Sequence, residues 1–134
     1  MPLLLELTTP TRLVVSEEAD EVVAPGSEGY FGVLPGHAPF LTTLGAGDLM
    51  YRRGAVEHHL AVSGGFAEVR DDRVIILADT AERPEEIDRA RAERARQRAE
   101  GLMSAGAGAE PVDYESCSAA LARAQARLQV ASRR

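Results

Sequence analysis

The sequence predicts a β + α chain of 134 residues: an all-β body over residues 1–84, followed by an antiparallel α-helical hairpin over residues 85–134. Three observations carry this reading. Short apolar runs recur up to about position 82, separated by glycine, proline or paired aspartates, the spacing of an antiparallel sandwich or barrel. From Pro84 onward the chain turns Ala-, Glu- and Arg-rich and holds one further proline, Pro111. The charge changes at the same place: residues 1–84 carry thirteen acids against six arginines, and residues 85–134 eight acids against nine. A β body with a separate, oppositely biased helical arm is the design of an adaptor with a movable part.

The expected strands follow the apolar runs at 3–5, 13–15, 22–23, 30–34, 49–51, 60–62, 66–69 and 74–77. Between them, Thr9-Pro10, Pro25-Gly26, Pro35-Gly36, the stretch 45–48, Arg53-Gly54, Gly64-Gly65 and Asp71-Asp72 read as breaks. Alternation at Phe66-Ala67-Glu68-Val69-Arg70 marks a strand with one buried and one wet face. The first helix is expected to start with Pro84 in its first turn, where the missing N–H costs nothing, and with Glu85, Glu86 and Asp88 complementing the helix dipole. It should run to about Met103 and stop in Gly106-Ala107-Gly108. A second helix should start near Asp113, a good cap, and the short link makes the two antiparallel neighbours.

Between Ile87 and Leu102 the only apolar residues are Ala90, Ala92, Ala95 and Ala99. Alanine buries little area, whereas a fully buried Leu or Ile contributes roughly 1.5–3 kcal/mol. The first helix should therefore form locally, helped by pairs such as Glu85–Arg89, yet dock weakly. On the second helix Tyr114, Leu121 and Leu128 share one stripe, with Arg123, Arg127 and Arg134 on the opposite side. No acid follows Glu115, so this cationic stripe is either a solvated face or a surface for a partner.

Composition excludes several classes of function. There is no run of about 18 apolar residues to span a bilayer and no signal-peptide core, because Glu6 follows Leu3-Leu4-Leu5 at once. The single cysteine, Cys117, allows no internal disulfide and fits a reducing compartment. All fifteen basic residues are arginine, which removes Schiff-base and phosphate-loop lysine chemistry. A net charge of −6 argues against nucleic acid as the main partner.

No catalytic constellation emerges. The glycine cluster over residues 26–32 lacks the lysine and hydroxyl of a phosphate loop and reads as a turn. His37, His58 and His59 have no metal-ligand spacing, Ser63-Gly64-Gly65 is no nucleophile elbow, and Cys117 has no nearby histidine. One segment stands out: Ile87-Asp88-Arg89-Ala90-Arg91-Ala92 places Ile87 and Arg91 one turn apart with Asp88 beside them. Folded against the second helix, Arg91 could meet Arg123 or Arg127. Converging arginines repel unless an anion lies between them, so the alternatives are a polyphosphate site and plain surface charge.

The strings Pro25-Gly26-Ser27-Glu28-Gly29, Phe31-Gly32-Val33-Leu34-Pro35-Gly36-His37-Ala38-Pro39-Phe40-Leu41-Thr42, Ala61-Val62-Ser63-Gly64-Gly65-Phe66 and Leu77-Ala78-Asp79-Thr80-Ala81-Glu82 closely resemble the ε subunit of F-type ATP synthases. Ile87-Asp88-Arg89-Ala90-Arg91-Ala92 and Val112-Asp113-Tyr114 continue the resemblance through the arm. It implies a sandwich of two five-stranded sheets on the central stalk, gripping the γ subunit and the c-ring. It also implies a C-terminal hairpin that permits ATP hydrolysis when folded on the sandwich and blocks it when extended into the α/β hexamer. The implied location is peripheral, on the cytoplasmic face of a bacterial plasma membrane.

The resemblance further implies site residues. Glu28, Tyr30, Phe31 and His37 correspond to the region facing the c-ring and γ, with Tyr30 departing from the small or acidic residue of many relatives, and His37 reads as structural. Arg123, Arg127 and Arg134 would meet an acidic region of the β subunit. Some bacterial relatives bind ATP in the compact hairpin without catalysis, as a regulatory ligand rather than a cofactor. That motif corresponds here to Ile87, Asp88, Arg91 and Ala92, with Glu82 upstream and Arg123 and Arg127 on the second helix. A chain ending at Arg133-Arg134 is shorter than many relatives, so an extended arm would reach less deeply. The leading expectation is a non-catalytic rotor subunit that restrains hydrolysis, and the alternative is mainly an ATP sensor with little inhibitory action.

Overall fold

The computed structural model describes residues 2–104 and 113–133. The expected link at Gly106-Ala107-Gly108, together with Pro111, Val112 and Arg134, lies outside the described residues. Eight strands come first: β1 Leu3–Thr9, β2 Arg12–Ala19, β3 Glu21–Gly26, β4 Gly29–Val33, β5 Phe40–Thr43, β6 Gly47–Arg53, β7 Val56–Arg70 and β8 Arg73–Glu82. A 3-10 turn over Pro84–Glu86 leads to α1 Arg89–Ser104 and then α2 Tyr114–Ala131.

Alternation decides what each strand buries. Leu3, Leu5 and Leu7 of β1 are fully enclosed while Leu4 and Glu6 between them are half-buried. In β8 the enclosed set is Val74, Ile76 and Ala78. With Leu49, Tyr51, Leu60, Val62 and Val69 they form one apolar core between the layers. Each fully buried Leu or Ile contributes roughly 1.5–3 kcal/mol.

The strands hydrogen-bond in the order β2-β1-β8-β7-β6-β3-β4, with β5 added to β7. The ladder is continuous because β7 and β8 pass through both layers. Residues 65–70 of β7 pair with 73–78 of β8, and β5 pairs with residues 66–69. Residues 56–62 pair with β6, and 61–63 with 80–82 of β8. The two layers are thus β2-β1-β8-β7-β5 and β4-β3-β6-β7-β8, five strands each when the shared pair is counted twice, from eight separate strands.

Two sequence expectations are corrected here. Gly64-Gly65 is not a break between strands but a bend inside β7, with φ of 66° and 102°. A Cβ on Gly65 would stand 1.8 Å from the Leu77 carbonyl oxygen, so only glycine lets the two strands cross this closely. The second correction adds β5, four mostly exposed residues without enough alternation to announce a strand. Asp71-Asp72 does behave as read, both residues at positive φ (50° and 58°) in a tight hairpin turn.

The first helix also begins later than expected. Pro84–Glu86 forms only a 3-10 turn, and Ile87 is extended (φ −81°, ψ 126°). Extension aims the Ile87 side chain into a small cluster with Ala61, Val130 and Ala131, where it is buried. Asp88 then caps α1, its Oδ1 accepting the Arg91 N–H at 3.0 Å. Asp113 caps α2 in the same way, accepting the Ser116 N–H at 3.1 Å. The 3-10 turn is clamped to the body. Glu86 accepts the Arg83 N–H at 2.9 Å and an Arg12 guanidinium N–H at 2.8 Å, and Arg83 donates to the Val14 carbonyl at 3.1 Å. These contacts, the backbone donor first, hold the Glu86 carboxyl below the usual carboxylate range.

α2 packs on β6 and β7, and α1 packs on α2. The buried residues of α1 are Ala92 and Ala99 alone, and those of α2 are Ala124, Ala126, Val130 and Ala131.

Gly65→Ala should cost roughly 3 kcal/mol or more in urea unfolding, because steric overlap adds to about 1–3 kcal/mol of backbone strain. Gly101→Ala, where the added methyl meets open space, should be neutral or gain up to about 1 kcal/mol. For Glu86 the lowered carboxyl contributes stability that is complete above the ordinary carboxylate pKa and fades as pH falls through the lowered value. The stability difference between wild type and Glu86→Gln should therefore be present at neutral pH and vanish on acidification through the lowered carboxyl value.

Candidate functional site

The end of β8, the 3-10 turn, the first turns of α1 and the middle of α2 enclose a cavity of about 270 Å³, lined by Glu82, Glu86, Asp88, Arg91, Ala92, Ala95 and Arg127. Local structure explains each placement. The clamped turn and extended Ile87 set Asp88 at the head of α1, which brings Arg91 and Ala92 one turn along to the same wall. Ala92 and Ala95 are small enough to leave the space open. Arg127 comes from α2 on the opposite side and reaches the last residue of β8, its Nε–H donating to Glu82 Oε1 at 2.5 Å.

The carboxylates here are engaged. Glu82 holds Arg127, Glu86 holds Arg12 and the Arg83 amide, and Asp88 holds the Arg91 amide. The guanidinium of Arg91 is exposed and has no ion pair among the described residues. Three carboxylates against Arg91 and Arg127 make the lining net acidic. An anion would be drawn to Arg91, but it gains Arg127 only by displacing Glu82. As it stands the site is an electrostatic clasp between arm and body that an anion could compete for.

Of the seven residues expected at a nucleotide site, Glu82, Asp88, Arg91, Ala92 and Arg127 share this cavity. Ile87 lies buried beside it in the apolar cluster. Arg123 lies in an adjoining crevice with Ala61, Val62, Ser63, Thr80, Ala126 and Arg127, so three converging arginines are not assembled. The cationic stripe also differs from expectation, since Arg123 and Arg127 lie against β7 and β8 rather than away from the body. Ala124 and Ala126 allow α2 to approach the sheet closely enough for the long guanidinium stems to lie along it. Arg134 lies outside the described residues.

The residues expected to face γ and the c-ring diverge. Glu28 is exposed at the β3–β4 hairpin. Tyr30 is 57% exposed, yet its hydroxyl accepts the Asp48 N–H at 3.0 Å and so is tied to β6. Phe31 is half-buried and meets the Phe40 ring edge-on at 5.2 Å between centroids. His37 Nδ1 lies 2.6 Å from the Ala38 carbonyl oxygen, a local contact.

Sequence reasoning missed a row on the outer face of the sheet. Phe66 pairs with Leu77, Leu77 with Thr8, and Thr8 with Leu13, and the three large residues are 55%, 53% and 58% exposed. The signal was available: Phe66 shares the wet face of β7 with Glu68 and Arg70, and an aromatic residue there needs a reason. A wider, open groove of about 440 Å³ lies by Phe40 and Leu41, and there Arg70 is paired with Glu68 and Asp71.

Comparisons with known proteins agree with this architecture. The family description "ATP synthase, Delta/Epsilon chain, beta-sandwich domain" matches residues 2–84, and "ATP synthase, Delta/Epsilon chain, long alpha-helix domain" matches 85–132. The chain is 50% identical over 129 residues to an ATP synthase epsilon chain of Syntrophotalea carbinolica, covering 96% of this chain and 93% of the relative. It is 52% identical over 126 residues to the epsilon chain of Nitratidesulfovibrio vulgaris, covering 94% and 92%. A chain in the cryo-EM structure of the Euglena gracilis mitochondrial ATP synthase, with OSCP, F1 and c-ring, superposes with a TM-score of 0.81 at 26% identity, covering 98% of this chain and 81% of that one. With two domain descriptions matching in order and half of all residues shared with curated epsilon chains, this chain belongs to the ATP synthase delta/epsilon family, as a non-catalytic epsilon subunit of the F-type central stalk.

Proposed function

We propose that the sandwich, residues 1–84, couples c-ring rotation to ATP synthesis by holding γ and the c-ring, while residues 85–134 restrain ATP hydrolysis as a movable arm. The observation that carries this is the poverty of the arm's seat. α1 buries only two alanines, and α2 is held by Ile87, Val130, a few alanines and ion pairs. Alanine side chains contribute about 0.8 kcal/mol each when buried, so release costs only a few kcal/mol. Release also frees Arg127 from Glu82 and, with the already exposed Arg123 and with Arg134, presents cations to an acidic region of the α/β hexamer. On the body, the Leu13–Phe66–Leu77 row, Glu28 and Tyr30 are the exposed features that suit γ and the c-ring. Phe31 and His37, both against the Phe40 ring, belong to the same proposed contact region. No described helix is long and apolar enough to cross a membrane; on this reading the subunit is attached through the complex, at the cytoplasmic face of a bacterial membrane.

A second reading, that the arm is mainly an ATP sensor, is favoured by one observation: Arg91 has no carboxylate ion pair among the described residues and stands with Arg127 in a cavity of about 270 Å³. Binding would stabilise the compact arm only by its differential affinity for that state.

Deleting residues 85–134 should raise ATP hydrolysis by the assembled complex several-fold if the arm restrains it. Unchanged hydrolysis would leave the sensor reading. In a magnesium-free ATP titration followed by amide NMR, saturable shifts should appear at 88–92 and at Arg127. Arg91→Ala should abolish them while changing stability by no more than about 0.5 kcal/mol, since Arg91 is exposed. Shifts that persist in Arg91→Ala would move any nucleotide site elsewhere.

A further inference from the structure

Asp48 of β6 is a buried carboxylate, 6% exposed, on the face that α2 covers. Each of its oxygens has a cationic or potentially cationic partner. Oδ1 lies 2.8 Å from His59 Nδ1 on β7, and Oδ2 lies 3.3 Å from both Nε and Nη2 of Arg133, just beyond the end of α2. Its backbone N–H is taken by the Tyr30 hydroxyl. The other ring nitrogen of His59 stands 3.5 Å from Glu57. His59 also borders a cavity of about 290 Å³ where Glu57, His58, Arg83 and Glu85 join Arg133, which gives protons a path to the ring.

We infer that Asp48, His59 and Arg133 form a proton-sensitive latch that fastens the end of α2 to the body. The inference rests on the reading of residues 85–134 as a movable arm. A buried carboxylate needs a counter-charge, and removing one partner is costly. In the docked state Arg133 supplies that charge. Protonated His59 supplies it from within the body, and the two cations then sit on one carboxylate and repel each other. When the arm leaves, His59 keeps Asp48 and the competition between the two cations ends. Adding a proton to His59 therefore favours release. Water reaching Asp48 after release weakens the competition without changing its sign. Glu57, Glu85 and Arg83 lie on the body or its clamped turn and act in both states.

The test follows the methyl signals of Ile87 and Val130, which report docking, by NMR of the full chain from pH 8 to pH 5.5. Wild type should shift toward the released state on acidification. Arg133→Gln, a change at a half-exposed side chain that leaves the core intact, should raise the released-to-docked ratio roughly five- to tenfold at high pH and flatten the pH response. His59→Gln should remove the pH response while keeping the arm docked. Glu82→Gln, which opens the other clasp, serves as the comparison. Release in Glu82→Gln but none in Arg133→Gln would overturn the latch and leave the movable arm standing. Release in Arg133→Gln with a pH response unaltered by His59→Gln would overturn the proton's role. No release under any of these conditions, with hydrolysis by the complex indifferent to loss of residues 85–134, would overturn the arm reading itself.

Discussion

Everything in this fold is hung on the bend at Gly64-Gly65. A 15-residue strand that stayed straight would serve one layer only. By turning where the Leu77 carbonyl would strike any Cβ, β7 joins β6 in one layer and both β8 and β5 in the other. The core closes because the layers share two strands. The bend also aims the end of β8: residues 80–82 come back beside 61–63, delivering Glu82 to the floor on which α2 lies. A bend that only glycine accommodates thus positions the clasp for the arm.

The attachment of the arm is built from small apolar contacts and paired charges. Ala61, Ala126 and Ala131 permit close approach but bury little, so orientation falls to Glu82–Arg127 near the middle of α2 and to Asp48–Arg133 at its end. Arg12, Arg83 and Glu86 fasten the 3-10 turn to β2 and stop there. The change from clamped turn to helical arm therefore falls at the extended Ile87 and the cap Asp88. The body is net acidic and the arm slightly basic, which matches clasps that have their carboxylates on the body and their guanidiniums on the arm.

Much of this was legible in the residues. Alternation located Ala67 and Val69 in the core, Asp113 announced α2, and the alanine-only stretch after Ile87 foretold a thinly held helix. What escaped was settled by tertiary contact. The start of α1 moved from Pro84 to Arg89 because burying Ile87 and clamping Glu86 outweighed a locally good helical start. Periodicity put Arg127 opposite the apolar stripe, but only the fold could supply Glu82, 45 positions earlier, as its partner. Five of seven expected nucleotide-site residues share one cavity: Asp88, Arg91 and Ala92 come from one capped turn, Glu82 from the strand before it, and Arg127 reaches in from α2. Arg123 depended on the rotation of α2 over the sheet, which no local signal sets. Asp48 and His59, eleven residues apart in sequence, meet only through the register of β6 and β7.

The parallel pairing of β1 with residues 73–77 of β8 has a consequence for biogenesis. The first strand to be synthesised has its inner edge unsatisfied until the last one exists, so the body folds by closing a loop of some seventy residues rather than by adding hairpins in turn. During translation β1 and β2 can only wait as a two-stranded ribbon, marginal alone and open to pairing with another chain. The two helices emerge after the sheet is complete and find their seat ready-made. Assembly is ordered by topology: body first and all at once, arm afterwards.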